Sequence, residues 1–159
     1  MGYPEKEMPL STQTPWILLA EDNDEDYELL HHAFRQNCNK VGLVRAETGR
    51  EVIERLRDAE RNQPSVIVTD LKMPGMSGYE LLSWLALRPG PDVIPTVVLS
   101  GYNQPLERER AHNLGAKLFL AKVYDAAELQ KMACLICTRF LPMDFAAACQ
   151  RAKGKTPGD

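Results

Sequence analysis

Short apolar runs alternate with amphipathic stretches along most of this chain, and that alternation confines it to few architectures. The apolar runs are Trp16 to Ala20, Val41 to Ala46, Val66 to Thr69, Thr96 to Leu99 and Lys117 to Ala121, each of strand length. Helical periodicity fills the gaps: one stretch to Asn37, a second to about Arg61, then Gly78 to Leu87, Leu106 to Leu114, and a last one to Phe140. Near-continuous apolar strands such as VIVT and TVVL suit a parallel sheet covered on both faces, and parallel strands joined by helices take right-handed crossovers. The expectation is an α/β domain with five strands and five helices.

Local signals agree with the periodicity. Thr48 with Glu51 and Ser77 with Glu80 form capping boxes, and Asp125 with Glu128 is a close analogue. Leu129, Met132, Ile136 and Phe140 share one face of the last helix, and Leu81, Leu82 and Leu85 one face of the third, which marks them as core.

A length of 159 residues with 44% hydrophobic content suffices for one domain with tails. Residues 1–15 hold three prolines among mostly polar side chains and are expected to be a flexible segment, the domain to span 16–141, and 142–159 to be a tail with a helical turn near Ala146 to Ala148 and no output domain. A net charge of -3 gives no basic field for nucleic acid or an anionic membrane. No apolar stretch spans a bilayer, the start lacks a signal-peptide core, and the four cysteines form no second paired cluster, so a cytoplasmic protein with reduced thiols is expected.

In an open parallel sheet, ligands bind beyond the carboxyl ends of the strands. Those ends carry Glu21 and Asp22, Asp70, Ser100 and Lys122. Carboxylates crowded together repel one another unless a cation intervenes, and hard oxygen ligands suit Mg²⁺ in a site shared with phosphate. Neutralised in this way, Asp70 can attack a phosphoryl group while Lys122 offers charge to its oxygens and the Ser100 hydroxyl donates to them.

These residues resemble the receiver domains of two-component response regulators, over roughly Trp16 to Phe140. The resemblance rests on Glu21-Asp22 after an apolar strand, DLKMPGMSGYELL from Asp70, LSG ending at Gly101, and LFLAK ending at Lys122. It implies a flavodoxin-like, doubly wound sheet in the order 2-1-3-4-5. It implies Asp70 as phosphoacceptor, Mg²⁺ held by Asp22, Asp70 and the Lys72 backbone carbonyl with Glu21 acting through water, and Lys122 paired with the phosphoryl oxygens. Ser100 becomes the switch hydroxyl, Phe119 the aromatic residue that follows it, and Gly101 the opening to Asp70. Lys72 and Tyr102 are expected to border the phosphoryl group and govern its lifetime.

The implied partners are a sensor histidine kinase or phosphotransfer protein, and a downstream protein bound through the fourth helix, fifth strand and fifth helix, with homodimer formation as a further output and with neither nucleic acid nor membrane. The chain is then no dedicated enzyme beyond its own aspartyl phosphorylation and dephosphorylation. Two positions depart from the family: Val123 stands where Pro usually follows the lysine, which favours a trans bond, and Glu21 stands where Asp is commoner.

Rival readings account for less. Asp22, Asp24 and Asp26 imitate a calcium-hand loop, but Tyr27 takes its glycine position and Ala33 that of its bidentate Glu. Outside its strand-end setting, the run Glu21 to Asp26 reads as a solvated loop. Cys134 and Cys137 read as helix packing, His31 and His32 as surface residues, Gly75 as a turn residue beside Pro74, and Ser100-Gly101 lacks the flanks of a hydrolase elbow. A pseudo-receiver interaction module untouched by phosphate is the main alternative, and a Mg²⁺-dependent phosphohydrolase the third.

Overall fold

A computed structural model of the chain describes residues 14–59, 61–88, 93–101 and 104–145. Nearly all of the expected flexible segment, the predicted turn near Ala146 to Ala148, and Tyr102 lie outside these residues; a helical stretch is under way from Met143 to Phe145.

Ten elements alternate: β1 (Trp16–Ala20), α1 (Asp24–Asn37), β2 (Gly42–Ala46), α2 (Gly49–Asp58), β3 (Val66–Asp70), α3 (Gly78–Ala86), β4 (Thr96–Ser100), α4 (Pro105–Asn113), β5 (Leu118–Ala121) and α5 (Ala126–Phe140). The strands form one parallel sheet in the order β2-β1-β3-β4-β5, the doubly wound order expected above. The chain reverses its winding direction between β1 and β3, which leaves a crevice at their carboxyl ends.

Successive strand side chains point to opposite faces, so each strand feeds two cores. Ile17 and Leu19 of β1, Val66 and Val68 of β3, and Val97 and Leu99 of β4 pack with Phe34 of α1 and with Met132 and Ile136 of α5. Leu18, Ala20 and Ile67 pack on the other face with Val52 and Leu56 of α2 and Leu81 of α3. Val98 and Phe119 meet Leu82 of α3 and Ala111 of α4 in a third cluster. Every residue of β3 and β4 is buried, which is why those strands read as continuous apolar runs.

The three expected caps form: Thr48, Ser77 and Asp125 accept from the amides of Glu51, Glu80 and Glu128. The second helix stops three residues short of the expected Arg61, because the Gln63 side-chain amide donates to the Leu56 and Ala59 carbonyls and closes the helix there. Among the described residues no helix is long and apolar enough to cross a membrane.

Candidate functional site

The sheet delivers the strand-end residues to one edge. Ala20 pairs with Ala46 and Thr69, and the Glu21 amide extends the ladder by donating to the Ala46 carbonyl at 3.0 Å. Asp70 ends β3 beside Leu99, with its Oδ1 accepting the Lys72 amide at 3.2 Å and its carbonyl accepting the Thr69 hydroxyl at 2.9 Å. Ser100 ends β4 beside Ala121, and its carbonyl accepts the Lys122 amide at 2.9 Å, which fixes the start of the lysine side chain.

Two glycines set the loop after β3. Gly75 has φ of 76°, where a side chain is strained, and so turns the chain beside Pro74. Gly78 opens α3 with its amide on the Leu71 carbonyl at 2.9 Å, and a Cβ there would stand 2.5 Å from the Asp70 carbonyl oxygen. That close approach holds the helix start against the backbone of Asp70.

Lys122 is the electrostatic centre. Its Nζ lies 2.8 Å from Asp70 Oδ2, 2.8 Å from Asp26 Oδ2 and 3.0 Å from Glu21 Oε2. Burial alone would lower the pKa of this ammonium, but its hydrogen bonds to Asp26, Asp70 and Glu21 overcome that and raise it well above the ordinary lysine range. Glu21 is almost wholly buried. Burial pushes its carboxyl up, opposed by Lys122 and by the Asn23 amide at 3.1 Å. One oxygen each from Glu21, Asp22 and Asp70 lies within 4.8 Å of the others, and an all-carboxylate set of this span fits a hard divalent cation.

Two residues of this network were not singled out from the sequence. Asp26 appeared there only in an acidic run and in an imitation of a calcium-hand loop, yet it reaches across 96 residues of chain to Lys122. Its signal was Asn23, whose side chain caps α1 by accepting the Asp26 amide at 2.9 Å and thereby sets Asp26 in the first helical turn. Arg45 is the second. From edge strand β2 it pairs with Asp24 at 2.8 Å, donates to the Glu21 and Asp22 carbonyls at 3.1 and 3.3 Å, and covers the Tyr27 ring at 4.4 Å. It clamps the loop that carries the acidic pair, and the sequence hinted at it only as a charge inside a strand.

The remaining positions sort clearly. Ser100 is buried at the edge of the site. Phe119 is buried in the third cluster under the Arg108 guanidinium, which lies 5.3 Å from its ring and donates to its carbonyl at 3.3 Å. Lys72 is exposed, and the space around Gly101 is open, with nothing within 4 Å of a Cβ built there. Among the described residues no peptide bond is cis, so Lys122 joins Val123 through a trans bond, and Val123 packs against the α1–α5 core. Cys137 is buried on α5 one turn from Cys134, as packing requires, and the ring of partly exposed His31 lies 5.6 Å from that of Tyr27, while His32 is exposed.

The family model of the response regulator receiver domain matches residues 17–134. The two-component response regulator ARR16 of Arabidopsis thaliana is 30% identical over 129 residues, covering 74% of this chain and 77% of the relative. The two-component response regulator ORR11 of Oryza sativa is 30% identical over 118 residues, covering 74% and 78%. Among solved structures, the phosphorylated cyanobacterial phytochrome response regulator RcpA superposes with a TM-score of 0.73 at 26% identity, over 81% of this chain and 95% of that one. The Mn²⁺-bound form of response regulator Rcp1 gives 0.68 at 25%, over 81% and 96%. With the sheet order, the carboxylate cluster and the lysine in place, these likenesses establish that the chain belongs to the receiver-domain family of two-component response regulators.

Proposed function

We propose that the chain is a phosphorylation switch in which Asp70 accepts a phosphoryl group in a Mg²⁺-dependent reaction. The donor is a phosphohistidine of a sensor kinase or phosphotransfer protein, met in the cytoplasm. An Asp70 carboxylate oxygen bonds to phosphorus as the bond from phosphorus to the donor nitrogen breaks; the electron pair leaves with the imidazole, and an acyl phosphate remains on Asp70. Hydrolysis of that acyl phosphate resets the chain, which acts on no separate substrate.

The observation that carries the reading is the placement of Asp70, with Lys122 at 2.8 Å on one oxygen and with Glu21 and Asp22 close enough to share a cation with it. Glu21, Asp22, Asp70 and the Lys72 carbonyl would hold Mg²⁺, which supplies positive charge to the transferred oxygens. Lys122 supplies a second positive group, and the Lys72 amide orients the Asp70 carboxylate. Ser100 donates its hydroxyl to the phosphoryl group, and Phe119, buried between β5 and α4, passes the change to the face of α4, β5 and α5 where a protein target or a second copy binds. Lys72 and Tyr102 are the residues that set the lifetime of the group.

Intact mass after incubation with acetyl phosphate tests the reading. One added phosphoryl group is expected with Mg²⁺, and none with EDTA or in Asp70→Asn. If the chain gains no phosphoryl group and also fails to bind beryllofluoride, it is a pseudo-receiver instead.

A further inference from the structure

An ammonium has three N–H donors. On Lys122, Asp26, Asp70 and Glu21 lie at 2.8, 2.8 and 3.0 Å, so in the resting site all three donors are committed to carboxylates. An incoming phosphoryl group brings oxygens that need a donor before the charge on Asp70 is spent, so one of these contacts must be given up. Glu21 yields it less cheaply, because its side chain is 2% exposed and would keep only the Asn23 amide as a protein partner for its charge. Asp70 is the reacting group. Asp26 is 21% exposed and sits in the first turn of α1, where water and the helix N-terminus both accommodate its charge once the lysine leaves.

We infer that Asp26 is a positioning residue that holds Lys122 in the resting site and yields it to the phosphoryl group. The inference rests on the reading of Asp70 as phosphoacceptor. As phosphorus bonds to Asp70 and the leaving group departs with its electron pair, the Lys122 N–H that had faced Asp26 turns to a phosphoryl oxygen, and Asp26 is rehydrated. Asp26 thus opposes the phosphorylated state.

The test measures the rate of phosphorylation by acetyl phosphate and the affinity for beryllofluoride, both at saturating Mg²⁺. Asp26→Asn and Asp26→Ala are expected to raise both by about fivefold, the worth of one partly exposed ion pair. Glu25→Gln removes a neighbouring exposed charge from the same helical turn and is expected to change neither. In a Lys122→Met background, Asp26→Asn is expected to leave the beryllofluoride affinity of that variant unaltered, because the partner it acts through is gone. An unchanged or weakened Asp26→Asn, an equal gain in Glu25→Gln, or a gain that persists without Lys122 overturns the inference while leaving the phosphoacceptor reading intact. A wild-type chain that neither gains a phosphoryl group nor binds beryllofluoride overturns both.

Discussion

Burial raises the carboxyl of Glu21 above its ordinary value, and this sets a pH dependence. A carboxyl raised in the folded state holds its proton more tightly there than in the unfolded chain, so ionising it costs stability. The cost is absent below the ordinary value of 4.5 and complete once the pH passes the raised one. Glu21→Gln is therefore expected to stabilise the metal-free protein at neutral pH, with the gain fading in acid below that value. Urea unfolding at the two pH values checks it, and a variant less stable than the parent at neutral pH contradicts it. The individual groups of the site, Glu21, Asp22, Asp70, Ser100 and Lys122, were legible because each ends or follows a strand. Asp26 was not, because its role depends on a partner 96 residues away and its acidic neighbours mask it.

Whole elements hold those groups in place, and two contacts carry much of that work. The start of α3 approaches Asp70 so closely that Gly78→Ala must displace one of them; the overpacking is expected to cost about 1–3 kcal/mol in denaturant unfolding and to slow phosphorylation. A fully stable, fully active variant would show that the approach can relax. The loop from β1 to α1 is held by Arg45 of β2 through two carbonyls, one carboxylate and one ring. Loss of a support behind metal ligands typically costs tenfold or more in affinity, so Arg45→Met is expected to weaken Mg²⁺ binding by about tenfold in calorimetry, and unchanged affinity contradicts the clamp. The caps at Thr48, Ser77 and Asp125 were readable because both partners lie within one helical turn. The end of α2 was not, because a glutamine beyond the helix terminates it by reaching back to two carbonyls.

At the scale of the molecule, the sheet order places the site. Five parallel strands could be read from the apolar runs, most clearly from VIVT and TVVL, since a strand covered on both faces leaves no polar alternation; their order came with the resemblance and is the one observed. The same order puts β1 and β3 side by side and gathers carboxylates from two distant stretches around one lysine. Arg108 of α4 lies over the Phe119 ring and donates to its carbonyl, joining α4 to β5, and the proposed switch would pass a charge change at Asp70 to the outer face along this contact. The central claim is chemical, that Asp70 itself becomes an acyl phosphate. Borohydride reduces an acyl phosphate to the alcohol, so trapping after treatment with acetyl phosphate and Mg²⁺, followed by peptide mapping, reads the acceptor directly. The account predicts homoserine at position 70 and unaltered Asp22, Asp26 and Glu21; an intact Asp70 in a chain that has gained a phosphoryl group would contradict it.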